Sequence, residues 1–227
     1  GVTADVAFDE DGDVVIAGGG AVAKLAGQSG TAVWRTGAGT TPPPLDVYAV
    51  HLALRGDTIA VAADAPTDGG ERNVLITAVD AESGVRRWQS TIDSADVVGP
   101  LTITDRAAGV GIDDAGDVVV AASIVDTGAV SRPLVASFDR ESGDERWRRA
   151  FAGTAIAHAG AFDLLVDTTS AVVVGGVGRS GAFSDAFVAR ITTATGDQAW
   201  IDDESARLPG DTRGVWLDEI ALDAAVD

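Results

Sequence analysis

Apolar and polar positions along this chain come in short bursts, and the same cycle of bursts recurs four times. Each cycle opens with an apolar run, an acidic or polar turn and a second apolar run. The first is Val6, Ala7 and Phe8, then DEDGD (9–13), then VVIAGG (14–19). The second is Leu52, Ala53 and Leu54, then RGD (55–57), then TIAVAA (58–63). The third is Val110, Gly111 and Ile112, then DDAGD (113–117), then VVVAAS (118–123). The fourth is Leu164, Leu165 and Val166, then DTTS (167–170), then AVVVGG (171–176). Short β-branched runs around Asp/Gly turns predict β-hairpins rather than helices.

A second pattern follows each hairpin: VAKLAGQSGTAVW (22–34), ITAVDAESGVRRW (76–88), VASFDRESGDERW (135–147) and VARITTATGDQAW (188–200). Its first half alternates. Leu134, Ala136 and Phe138 share one face, as do Leu75, Thr77 and Val79, or Phe187, Ala189 and Ile191. A tight turn then carries a glycine able to adopt positive φ, and a fourth strand brings a tryptophan four residues later. Four short antiparallel strands repeating every ~55 residues predict an all-β, propeller-type array. The approximate repeats are 3–35, 47–89, 107–148 and 161–201, with a partial fifth at 215–227. The residues singled out are structural: Gly30 and Trp34, Gly84 and Trp88, Gly143 and Trp147, Gly196 and Trp200. Each indole is expected to cover the neighbouring sheet.

These units resemble the PQQ-like repeat of bacterial quinoproteins and of the BamB-type outer-membrane assembly lipoproteins. There the third and fourth strands read roughly Ala-Leu-Asp-x-x-Thr-Gly-x-x-x-Trp. VDAESGVRRW (79–88) and FDRESGDERW (138–147) match best; the other copies have Ala26 and Thr192 in place of the Asp. The resemblance implies a propeller over essentially the whole chain, but it does not choose a function, since enzymes and scaffolds share the repeat. Residues 220–227, IALDAAVD, align with VAFDEDGD (6–13), so the chain stops as a fifth blade begins. It therefore reads as four complete blades and the start of another, part of a larger propeller, and as a mature or excised piece.

Composition narrows the partners. The 227 residues carry a formal net charge of −19, and Lys24 is the sole lysine. Such a surface repels phosphate backbones and anionic lipid, so nucleic acid is not an expected partner. No apolar run is long enough to insert in a membrane as a helix. With no cysteine there is no disulfide and no thiolate metal site. The acidic, lysine-poor composition is compatible with salt adaptation and equally with a GC-rich genome.

Candidate chemistry is sparse. Asp9, Asp11 and Asp13, then Asp113, Asp114 and Asp117, then Asp202 and Asp203 are dense enough for calcium. Their spacing fits no EF-hand, and they are expected as solvated acids of hairpin turns. His51 and His158 fall near first strands of different repeats, where only a propeller axis would bring them together. No nucleophile elbow is present, the GGG at 18–20 opens no helix, and the Arg55, Gly56, Asp57 tripeptide lies in a turn. No catalytic, cofactor-binding or metal-binding residue is assigned. Function is expected on the long, dissimilar connections 64–73, 123–132 and 176–185, and 36–46, 90–108 and 202–214.

The expectation is a non-enzymatic scaffold that binds a protein or ligand in a prokaryotic cell envelope or outside the cell, with a protein partner or additional copies or blades. One alternative is part of a PQQ-dependent quinoprotein dehydrogenase. The resemblance implies for such an enzyme a calcium held by oxygens that include an Asn, a catalytic Asp, and often adjacent cysteines. This chain has one asparagine, Asn73, expected in an outer loop, and no cysteine. The other alternative is a structural spacer or subunit of a cell-surface assembly.

Overall fold

The computed structural model describes residues 4–37, 50–67, 72–93, 105–125, 131–151, 158–179 and 183–202. They form sixteen strands and, among the described residues, no helix. Blade one is β1 (Ala4–Phe8), β2 (Val14–Gly18), β3 (Ala21–Leu25) and β4 (Ala32–Gly37). Blade two is β5 (Val50–Arg55), β6 (Thr58–Pro66), β7 (Arg72–Asp80) and β8 (Arg86–Ile92). Blade three is β9 (Arg106–Ile112), β10 (Val118–Val125), β11 (Ser131–Phe138) and β12 (Glu145–Ala150). Blade four is β13 (His158–Val166), β14 (Ser170–Arg179), β15 (Phe183–Thr192) and β16 (Gln198–Asp202). Each blade is one four-stranded antiparallel sheet with its strands in sequence order. The architecture is thus the propeller-type array that the repeat pattern predicts.

The first strands lie innermost: β1 packs beside β5, β5 beside β9, and β9 beside β13, with no comparable packing of β13 on β1. The core is divided among the three spaces between successive blades. Val15, Ala17 and Val22 of blade one meet Ile59, Val61 and Val79 of blade two. Ala60, Ile76 and Trp88 meet Ile112, Val118 and Val120. Val119, Ala121 and Val135 meet Leu164, Ala171 and Val173. Period-2 alternation explains this directly, because each sheet buries one set of side chains against the blade before it and the other against the blade after.

Every blade carries the same irregularity. The β3–β4, β7–β8, β11–β12 and β15–β16 ladders slip by one residue beside the turn, so that Val33, Arg87, Arg146 and Ala199 lack a partner residue opposite. Each bulged residue immediately precedes the repeat tryptophan. A bulge bends its strand and re-aims the next side chain.

Two expectations are corrected. In the connections 64–73, 123–132 and 176–185 nearly all of the described residues are strand, with Pro66 opposite Arg72, Val125 opposite Ser131, and Arg179 opposite Phe183. Asn73 accordingly lies in β7 opposite Ala65, not in a loop. Asp, Ser and Gly at hairpin ends look like turn residues in sequence, yet ladder pairing holds Asp64, Ser123, Gly176 and Gly178 extended. The acids of DDAGD are also not all solvated, since Asp113 and Asp117 are buried. The start of a fifth repeat at 215–227, and most of the connections 36–46, 90–108 and 202–214, lie outside the described residues.

Candidate functional site

The repeat glycines and tryptophans meet across blades. A Cβ on Gly84 would lie 2.6 Å from the Trp34 ring, one on Gly143 would lie 2.6 Å from Trp88, and one on Gly196 would lie 2.6 Å from Trp147. Each glycine also has positive φ, between 70° and 72°. The indole N–H then donates to a carbonyl three residues before the glycine: Trp34 to Ala81 (3.2 Å), Trp88 to Arg140 (2.8 Å) and Trp147 to Thr193 (2.6 Å). Trp200 differs, being 44% exposed, and Gly30 faces no atom within 4 Å. The residues after β16, where a sheet covering Trp200 is expected, lie outside the described residues.

Two buried aspartates occupy the end of the array where β6 turns into β7. Asp64 is 1% exposed and accepts the Ala107 N–H at 2.7 Å, joining blade two to blade three. Asp105 is wholly buried; its N–H donates to the Arg72 carbonyl at 2.9 Å and its carboxylate accepts the Val125 N–H. Burial pushes the Asp64 carboxyl above its ordinary range, against the opposing pull of the Ala107 amide and the charges of Arg106, Arg72 and His51. His51 lies in β5 opposite Ala62, and the backbone of His158 lies in β13 opposite Gly178. Blade three stands between their strands.

The opposite end holds the tight turns and, among the described residues, a set of ion pairs that fasten them. Arg87, the bulged residue of blade two, reaches Asp57 at 2.8 Å and Asp80 at 2.6 Å. Arg146, its counterpart in blade three, reaches Asp117 at 2.6 Å and Asp139 at 3.2 Å. Arg87 holds the Asp80 carboxyl far below its ordinary range. The Ser142 and Glu141 amides, with help from Arg146, bring Asp139 down to about 2. Blade one has neither the Asp nor the Arg; there Lys24 bridges Asp9 (2.6 Å) and Asp13 (3.4 Å). A groove of about 160 Å³ between Arg55, Asp57, Asp113, Asp114 and Arg140 is spanned by an Arg55–Asp114 ion pair.

Sequence reasoning missed Asp64, Asp105 and the two arginine clips. The clips did leave a signal. Asp and Arg stand seven residues apart in the same two copies, Asp80 with Arg87 and Asp139 with Arg146, and both are replaced in the others.

A family model described as outer membrane protein assembly factor BamB matches residues 72–224, well over half of the chain. The chain belongs to this BamB-type family. No curated protein matches it in sequence. Among solved structures, the BamB-type chain is similar to the quinohemoprotein alcohol dehydrogenase of Comamonas testosteroni (TM-score 0.59, 15% identity, 86% of this chain and 34% of that one). It is also similar to quinohemoprotein alcohol dehydrogenase ADHIIG of Pseudomonas putida HK5 (TM-score 0.58, 18% identity, 85% and 33%). A polysaccharide lyase of family PL25, an ulvan lyase, gives a TM-score of 0.55 at 13% identity (88% and 56%). The chain spans about a third of the length of the two dehydrogenases, and at these identities the likeness is one of fold.

Among the described residues no three His, Asp or Glu side chains sit together as a metal site requires.

Proposed function

We propose that this BamB-type chain is a non-enzymatic binding scaffold of the prokaryotic cell envelope or cell exterior, with another protein as its partner. The observation that carries this reading is the use the fold makes of its own charged groups. Asp64 joins two blades, Arg87 and Arg146 fasten their turns, and Asp117 takes the Arg140 amide as well as Arg146. Reactive side chains committed to the frame support a rigid platform rather than a reaction centre. Membership of a family described by outer membrane protein assembly points to protein handling in the envelope. No helix long and apolar enough to cross a membrane occurs among the described residues.

Photo-crosslinking in the source cells tests this reading. A photoreactive residue replacing Thr67 or Arg132, at the hairpin-loop end, is expected to trap a discrete protein partner; one replacing Glu141 or Asp144, at the tight-turn end, is expected to trap much less. Equal or absent capture from both ends would count against the scaffold. In parallel, quinone and calcium added to the purified chain should leave dye reduction with alcohols at background. Turnover that depends on both would replace the scaffold with a dehydrogenase.

A further inference from the structure

Two joints between blades carry the same stitch at the hairpin-loop end, made by one position of the second strand. Leu54 stands opposite Ile59, Ile112 opposite Val118 and Val166 opposite Ala171. Five residues beyond these partners come Asp64 in blade two, Ser123 in blade three and Gly176 in blade four. Ser123 Oγ donates to the Ala161 carbonyl of blade four at 3.3 Å, and Asp64 accepts the Ala107 N–H of blade three at 2.7 Å. Ala107 and Ala161 are themselves equivalent, opposite Ala122 and Gly175, and beside each of them the ladder of the first strand skips a residue. A neutral hydroxyl thus makes at one joint the bridge that a carboxylate makes at the other. The joint does not need the charge, and the charge is costly. Asp64 is 1% exposed, and among the described residues its carboxylate has that one hydrogen bond and no salt bridge. Arg106 of β9, Arg72 of β7 and His51 of β5 attract it through space, and the Asp105 carboxylate nearby is taken by the Val125 amide. A buried carboxylate with so little compensation gains from anything that lets water reach it.

We propose that Asp64 is a proton-operated latch on the joint between blades two and three: the protonated carboxyl keeps the hairpin-loop end of that joint closed, and ionisation favours its opening. The element it biases is the entry of blade three, Asp105–Ala107. That entry is tied to blade two by the Ala107–Asp64 bond and by the Asp105 N–H, which donates to the Arg72 carbonyl at 2.9 Å. In the closed joint, burial holds the Asp64 carboxyl above its ordinary value of 3.8; opened to water, it returns towards that value. The closed joint therefore binds the proton more tightly. Its extra stability is fully present below 3.8 and is lost as pH rises through the raised value. That the hairpin-loop end is also the partner-binding end rests on the scaffold reading above, under which partner engagement would follow pH. The latch itself does not rest on it.

Amide hydrogen exchange of the purified chain between pH 4 and pH 8, corrected for the intrinsic pH dependence of exchange, tests this. In the wild type, corrected exchange of segment 105–112 is expected to rise with pH and then level. The rise should be roughly tenfold for each unit by which the closed joint lifts the carboxyl above 3.8. Segment 159–166, stitched by Ser123, should show no such rise and serves as the control within the same molecule. Asp64→Asn keeps an oxygen for the Ala107 amide, and Asp64→Ser installs the residue that blade three uses at this position. In both variants segment 105–112 should exchange slowly and independently of pH. A flat profile in the wild type, a rise that survives in both variants, or an equal rise in segment 159–166 would each overturn the latch. The measurement needs no partner, so its failure is distinct from a failure of the scaffold reading, which partner capture through residue 67 reports separately.

Discussion

At Gly84, Gly143 and Gly196 two demands coincide: a left-handed backbone and an indole ring so close that a Cβ would lie 2.6 Å from it. Gly30 keeps the first demand without the second, and the pair separates the two costs within one molecule. Gly30→Ala should cost only the left-handed conformation, roughly 1–2 kcal/mol. Gly143→Ala adds displacement of Trp88 and should cost roughly 2–5 kcal/mol, the sum of backbone strain and overpacking. Urea unfolding at a protein concentration where the chain is monomeric checks this, and equal losses at the two positions would show that the ring contact contributes nothing. The rings should rank in parallel. Trp88→Ala, buried and hydrogen-bonded, should cost roughly 3–5 kcal/mol, as large aromatic truncations in cores do. Trp200→Ala, in an exposed setting, should stay within about 0.5 kcal/mol.

Along each element, the alternation of apolar residues and the Ser/Thr-Gly-x-x-x-Trp spacing made the blades legible, because both are properties of neighbouring residues. The bulges and the extended hairpins were not legible. Whether Arg87 is skipped by the ladder, or whether Asp64 ends a strand or begins a loop, depends on the facing strand and on the next blade. The arginine clips that the bulge creates set the acid response. Asp57 and Asp80, held down chiefly by Arg87, stabilise the fold only while ionised. Their contribution is present above the ordinary carboxylate value of 3.8 and is lost as pH falls through the lowered folded values. Arg87→Gln should therefore lower the unfolding midpoint at pH 7, and the gap to wild type should narrow progressively as pH falls below 3.8. Asp64 has the opposite sign. Burial raises its carboxyl, so its ionised form destabilises the fold at neutral pH, and that cost fades as pH falls through the raised value towards 3.8. Asp64→Asn keeps an oxygen for the Ala107 amide and should raise the midpoint at pH 7 while leaving it unchanged in acid. A fall at pH 7 would show that the surrounding arginines need the charge more than burial penalises it.

For the molecule as a whole, the dominant electrostatic quantity is the imbalance of 35 acidic against 16 basic residues. Two effects of added salt oppose each other. Salt weakens the ion pairs, and it relieves the repulsion among the excess carboxylates. Distance decides which wins. Pairs such as Lys24–Asp9 and Arg146–Asp117, both at 2.6 Å, lie far inside the screening length of about 8 Å at physiological salt. Even at molar salt that length is about 3 Å, so contact pairs persist, and exposed ones are worth only about 0–1 kcal/mol each. Repulsion among carboxylates spread over the blades acts across longer separations and is screened first. The melting temperature should accordingly rise from low to molar sodium chloride, steeply at first and then levelling as the screening length nears contact distance. Chloride is the appropriate salt, because sulfate would also strengthen apolar burial by exclusion from the surface and so mimic the effect. A flat or falling melting temperature would mean that the acids are spaced too widely to repel one another, and the composition would then reflect the coding genome rather than the solvent.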